Sequence, residues 1–140
     1  VVSTQSTGTN VTSQRRKQRK AIYTAPSHLR AKLMCSRLAK NLRDEYKVSN
    51  MPIVKGDTVK VLVGDKTIKV TGKVTSVNRK NYKIYVEGAN HTARKEGDKP
   101  KQVPIHASNC IITELYPTAS RLRAIARRHG KEYVNKSKKE

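Results

Sequence analysis

Residues Ile53 to Val77 read IVKGDTVKVLVGDKTIKVTGKVTSV, and the period of this stretch decides the fold. Val59, Val61 and Val63 alternate with Thr58, Lys60 and Leu62, which is the two-residue repeat of a half-buried strand. Ile68 and Val70, then Val74 and Val77, supply further strand material. Gly56, Asp57, Gly64 and Gly72 read as the turns between these pieces, because an Asp after Gly beside a strand usually bonds nearby backbone N–H groups. Farther on, Asn78-Arg79-Lys80-Asn81 is a turn, and Tyr82, Ile84 and Val86 alternate with polar neighbours. Glu96-Gly97-Asp98-Lys99-Pro100 reads as a loop or hairpin tip, and CIITEL supplies a last strand before Pro117. Five or so short strands spaced by turn signals predict a small barrel over residues 51–117.

On both sides of this segment the apolar period turns helical. The fold class is therefore mainly β with helical extensions. Residues 15–50 are expected to form a basic N-terminal arm with short helices. The knot RRKQRK leads it, followed by a connector, Ala21 to Pro26, that Pro26 should keep out of helix. Ser27 is placed to N-cap a short helix holding Leu29, Leu33 and Met34. Ser36 is placed to cap a second, in which Leu38, Leu42 and Tyr46 recur at i, i+4 and i+8. Asn50-Met51-Pro52 should end the helical region. Beyond Pro117, Leu122, Ile125, Ala126 and His129 fit one helical face with Gly130 as a stop, giving a basic C-terminal helix and tail over 118–140. Residues 1–14 are uncharged and Ser/Thr-rich, and are expected to be a disordered leader.

Charge separates these parts. The chain carries 31 basic and 10 acidic side chains for a formal net charge of +21. Residues 15–47 hold eleven basic and two acidic groups, and residues 118–140 hold eight and two. Residues 48–117 hold twelve and six, the balance of an ordinary folded domain. An excess this large implies a polyanionic partner. Membrane binding would call for bulky apolar anchors, yet Trp and Phe are absent, and no apolar run approaches the roughly 20 residues that span a bilayer.

Catalytic and metal chemistry find little support. The four histidines, His28, His91, His106 and His129, have no ligand spacing, and no GxSxG, HExxH or phosphate-loop pattern is present. No enzyme activity, metal or cofactor is expected. Cys35 and Cys110 are far apart with no CxxC pairing, and read as buried free thiols in a reducing compartment. The leading residues lack the basic and apolar regions of a secretory signal.

Nucleic acid is left as the partner, and composition indicates how it is bound. Readers of single strands stack bases on exposed aromatics, whereas all six aromatic residues here are Tyr and several alternate on apolar faces. Recognition should run through phosphate and 2′-hydroxyl contacts to folded, largely A-form RNA, with Arg and Lys neutralising phosphates.

IVKGDTVKVLVGDKTIKVTGKVTSV resembles a KOW motif, the core of a small SH3-like barrel found in ribosomal proteins and in transcription elongation factors of the NusG and Spt-five type. RKQRKAIYTAPSHLRAKLM before MPIVKGD, with YKIYVEG and PIHASNCIITEL after it, resembles the universal L-twenty-four family of large-subunit ribosomal proteins, called L-twenty-six in the older eukaryotic naming. The resemblance covers roughly residues 15–117. An elongation factor, or another RNA-binding interaction module, is the alternative; it would usually carry a further domain or several KOW copies, for which the length leaves no room.

The resemblance implies a structural protein that binds large-subunit rRNA early in assembly and sits near the nascent-chain tunnel exit beside other ribosomal proteins. It implies a cytoplasmic ribosome, nucleolar assembly in a eukaryote, and no membrane or homo-oligomer. Carried over by position, RNA contacts fall on Arg15, Arg16, Lys17, Arg19, Lys20, Ser27, His28, Arg30 and Lys32 of the arm. In the barrel they fall on Lys55, Lys73, Arg79, Lys80, His106, Ser108 and Asn109. Charge alone adds Arg121, Arg123, Arg127 and Arg128 of the last helix. Two departures stand out. Thr67-Ile68 replaces a common Lys-Gly pair, which leaves the conformation of the Gly64–Gly72 loop open, since a β-branched residue does not readily take positive φ. His106-Ala107-Ser108 replaces His-Pro-Ser, so that turn is expected to be less rigid.

Overall fold

A computed structural model describes residues 12–91 and 100–129. The elements run α1 (Arg15–Thr24), α2 (Ser27–Leu33), β1 (Cys35–Leu38), α3 (Lys40–Tyr46), β2 (Asn50–Pro52), β3 (Thr58–Val61), β4 (Thr71–Asn78), β5 (Lys83–Val86), a 3₁₀ turn (Ala107–Asn109), β6 (Cys110–Glu114) and α4 (Ala119–His129). The expected loop at 96–100 lies outside the described residues except for Pro100, and so do most of the leader and the tail after His129.

The strands form one mixed sheet in the order β2-β1-β6-β3-β4-β5. β1 runs parallel to β6, and the other neighbours are antiparallel. β4 makes the barrel-like curl. Thr71 to Lys73 pair with β3, Val74 to Asn78 pair with β5, and the register shifts between Val74 and Ser76. Such an irregularity bends the strand, so that its first half pairs with β3 and its second half with β5.

The two-residue period is borne out inside the barrel. Val59, Val61, Val74, Ile84, Val86 and Ile112 are each at most 2% exposed and meet in one core. Val63, by contrast, lies past the end of β3 and is 56% exposed. Gly64 there takes φ +117, and a Cβ on it would lie 3.0 Å from the Ile68 side chain. The Thr67-Ile68 loop therefore places its positive φ on glycine and folds Ile68 back over it. The Asp65 backbone carbonyl closes that turn by accepting the N–H groups of Ile68 and Lys69.

The arm departs from the sequence reading in three places. The connector after the basic knot is helical through Thr24, because Pro26 restricts only Ala25, the residue directly before it (ψ 133°). Ser27 is the first helical residue and not the cap; Pro26 holds the cap position, with no side-chain capping bond. Ser36 starts no helix. It lies in β1 with its side chain buried, and its hydroxyl donates to the Ala107 carbonyl. Met34 and Leu38, four apart, satisfy a helical face and a strand's inward side equally well. Pairing with Ile111 and Ile112, more than seventy residues away, selects the strand. The predicted helical face survives in part, as Leu42 and Tyr46 of α3 pack against the core. Asn50-Met51-Pro52 likewise joins the sheet as β2, paired with β1.

Gly56 takes φ +96, as a turn residue should, but Gly72 is no turn; it lies within β4 opposite Val59. Its small size is needed for packing. A Cβ at Gly72 would lie 2.3 Å from the Glu87 carbonyl oxygen, where the Glu87 N–H bonds back to the Lys73 carbonyl. Backbone cannot rotate aside as a side chain can. Gly72→Ala should therefore lower stability by about 1–3 kcal/mol, read as a reduced urea midpoint at unchanged m value.

Both thiols are free, and Cys110 is buried in the core. Burial pushes the Cys110 thiol from 9.0 up to about 11. Burial also raises Cys35, partly offset by the Arg128 charge. A thiol raised in the folded state favours folding fully below its unfolded pKa, and that advantage is lost as pH climbs from about 9 to about 11. Since the thiolate is the nucleophile, iodoacetamide at pH 8 should label Cys110 only after denaturation. Rapid labelling of the native chain at Cys110 would contradict this burial.

Candidate nucleic-acid interface

α1 has five cations in its first six residues, no acid in its first turn and no buried residue. Its own electrostatics disfavour it. Arg15–Arg19 and Arg16–Lys20 are like-charged i,i+4 pairs, each costing a few tenths of a kcal/mol, about 0.2–0.5. Arg15, Arg16 and Lys17 also sit at the positive end of the helix dipole. A helix of this kind is held in place by something else and is stabilised when phosphates cover it.

What holds it is Arg30 on α2. Its Nε donates to the Ala25 carbonyl at 2.7 Å, Nη2 to the Tyr23 carbonyl at 2.7 Å, and Nη1 to the Lys80 carbonyl at 2.8 Å. The guanidinium also lies over the Tyr82 ring, 5.3 Å from its centroid. Tyr82, at φ 55° in the β4–β5 turn, donates its hydroxyl to the Ile22 carbonyl at 2.6 Å. The end of α1, the start of α2 and the Asn78–Tyr82 turn are thereby joined. Exposed Arg79 and Lys80 come to lie beside the arm, together with exposed Ser27, His28 and Lys32 of α2. Arg30 itself, expected among the phosphate contacts, has its guanidinium committed to backbone carbonyls.

Arg30→Lys tests this role, because lysine keeps the charge but lacks the planar fork that reaches three carbonyls. The barrel should unfold within about 1 kcal/mol of wild type, since Arg30 is not in the core. Amides of residues 15–24 should lose hydrogen-exchange protection, and RNA affinity should fall about tenfold, the equivalent of roughly 1.4 kcal/mol. Unchanged protection of α1 would remove Arg30 from this role.

The remaining predicted residues are spread out. Lys55 and Lys73 are exposed, near Gly56 and on β4. His106 Nδ1 lies 2.7 Å from the Ser108 hydroxyl and accepts the Ser108 N–H, which caps the 3₁₀ turn without a proline. The Asn109 carbonyl accepts the Leu62 N–H. On α4, Arg123, Arg127 and Arg128 are exposed, and Arg128 donates to the Asn50 carbonyl at 2.8 Å.

Arg121 differs from its neighbours. It is 7% exposed and turned inward onto Asp57, which is fully buried. Nη2 donates to Asp57 Oδ2 at 2.9 Å and Nη1 donates to Oδ1. Asp57 also accepts the Val54 N–H at 2.9 Å, as a turn aspartate should, and the Tyr116 N–H at 2.8 Å. Sequence reading grouped Arg121 with the surface arginines because a basic helix shows no mark for the one that faces inward. The only signal lay in period, since Arg121 is four residues before the buried Ile125.

Among the described residues no helix is long and apolar enough to cross a membrane. Of the predicted contacts that are exposed cations, one group lies on α1, α2 and the β4–β5 turn and another on α4, while Lys55 and Lys73 lie apart from both.

Comparison with known proteins gives the family. The family model that describes the eukaryotic L26 and archaeal L24 ribosomal proteins matches residues 12–128. That span extends the resemblance read at 15–117 through most of α4. The large ribosomal subunit protein uL24 of Methanosphaera stadtmanae is 42% identical over 106 residues, covering 76% of this chain and 88% of that protein.

Proposed function

The chain belongs to the family of eukaryotic L26 and archaeal L24 ribosomal proteins, and from this premise we propose that it binds large-subunit rRNA through phosphate and 2′-hydroxyl contacts. It is a structural constituent of the large ribosomal subunit and not an enzyme. The observation that carries the RNA reading is the docked arm. A helix with five cations and no buried side chain is tied at its C-terminal end, by Arg30 and Tyr82, to the turn that carries Arg79 and Lys80. Fixing them before binding reduces the entropy lost when phosphates are engaged. The barrel acts as the rigid support, and the two cationic groups on its flanks grip RNA.

The same reading carries finer parts. The protein joins the particle early, lies near the nascent-chain tunnel exit beside other large-subunit proteins, and acts as a single copy, with nucleolar assembly in a eukaryotic source. Crosslinking in cells followed by sequencing of the attached RNA tests the core of it. Large-subunit rRNA should dominate, and recovery of mRNA or polymerase in its place would overturn it. Sedimentation supplies a second check: the chain should travel with large subunits and dissociate only in high salt.

A further inference from the structure

A groove of about 440 Å³ runs between α4 and the β2 edge, with Lys32 of α2 at its rim. Its floor is apolar, made by Met51, Pro52, Val54 and Ala124. Lys32, Arg127 and Arg128 stand around it, and no acidic residue lines it among the described residues. Arg121 also borders it, but its charge is answered from within by Asp57. Arg128 is held at the edge by its bond to the Asn50 carbonyl and lies 3.6 Å from Met51 Sδ.

We propose that this groove takes one unstacked nucleotide of the bound RNA, its base on the apolar floor and its flanking phosphates on Lys32 and Arg127. The inference rests on the rRNA-binding reading and adds a specific subsite to it. The size falls in the range of small-molecule pockets, roughly 300–1,000 Å³. A base face packs on the half-buried Pro52 ring, Val54 and Ala124, with Met51 closed in beneath them, and so removes apolar surface from water. Charge decides between occupants. An apolar peptide would leave three cations unanswered at the rim. The chain's own last ten residues hold four lysines and two glutamates, so a net positive tail is repelled from it. A nucleotide supplies an apolar face and negative flanks together.

The test uses the full chain and two RNA probes, a 16-base-pair duplex and the same duplex with one bulged 4-thiouridine. The bulged probe should bind about fivefold to tenfold more tightly by fluorescence anisotropy. On irradiation it should crosslink to peptides from 51–54 or 120–128. Ala124→Phe puts a ring into the groove without altering charge, and should abolish the preference while leaving duplex binding within twofold. Lys32→Ala with Arg127→Ala should also abolish it, which keeps the proposal testable if the phenylalanine variant misfolds by circular dichroism. Equal binding of both probes, or a preference that survives either variant, would overturn the subsite. Failure of both probes to bind would instead sink the rRNA reading beneath it.

Discussion

Replacing Arg121 with methionine should lower the free energy of unfolding by about 3–5 kcal/mol, the usual penalty for leaving one charge of a buried pair alone. Asp57 has no exposed side-chain surface, and Arg121 is its counterion. The pair joins three parts of the chain. Asp57 holds the Val54 and Tyr116 amides, while Arg121 Nη2 also donates to the Pro52 carbonyl at 2.9 Å. Losing the arginine removes its own ties from α4 to β2 and to the exit of β6, leaving the Arg128 bond to Asn50 and the packing of Ile125, and strands a carboxylate in the core. For a domain of this size the melting temperature should fall by more than about 12 °C, at roughly 4–8 °C per kcal/mol.

The reciprocal change is informative. Asp57→Asn in the Arg121→Met background should recover part of the loss, because a neutral amide no longer carries an unpaired charge. Recovery will be incomplete, since the amide cannot accept both backbone N–H groups as the carboxylate does, and an orphaned buried donor costs about 1–3 kcal/mol. A coupling energy between the two sites of about 0.5–3 kcal/mol is expected from urea denaturation of the four proteins. If Arg121→Met unfolds within about 1 kcal/mol of wild type, the pair is not what fastens α4.

Legibility in the sequence followed the range of the interactions. The alternation at Val59–Val61 and Ile84–Val86 is local, so the barrel's strands could be read directly. β1 could not, because its helix-compatible pattern becomes a strand only through β6 on one side and β2 on the other. The candidate interface divides the same way. That the flanks suit a polyanion follows from charge, which adds without reference to geometry. Which arginines serve it depends on direction, and direction is set by partners distant in sequence. Arg30 turns to carbonyls at Tyr23, Ala25 and Lys80, and Arg121 turns to Asp57. Both are lost to the surface for reasons a one-dimensional pattern does not hold. Gly72 shows the same limit. Its neighbour Glu87 is fifteen residues on, and a glycine needed for close approach looks in sequence like one needed for a turn.

The largest functional effect should come from the arm. With roughly 6–10 phosphates neutralised, wild-type affinity for structured rRNA should drop about 10³–10⁵-fold between 50 and 200 mM salt. Changing Arg15, Arg16, Lys17, Arg19 and Lys20 to glutamine should make the log–log salt slope shallower by about one for each cation that meets a phosphate. A change of about 3–5 in slope is expected, with the greatest affinity loss at low salt. Because α1 buries no residue, the melting temperature should stay within a few degrees, so the loss is one of binding and not of folding. Glutamine relieves the like-charge pairs along α1, and the helix should persist in the variant. A matched variant with Lys66, Lys69 and Lys101 changed to glutamine separates the arm's charge from charge in general. Per residue it should shift the slope less than the arm does, because those exposed lysines lie on loops of the barrel and not on the helix tied to the β4–β5 turn. An equal shift per charge from both variants would mean that the polyanion meets a diffuse positive cloud, and that the Arg30 junction has no part in directing it.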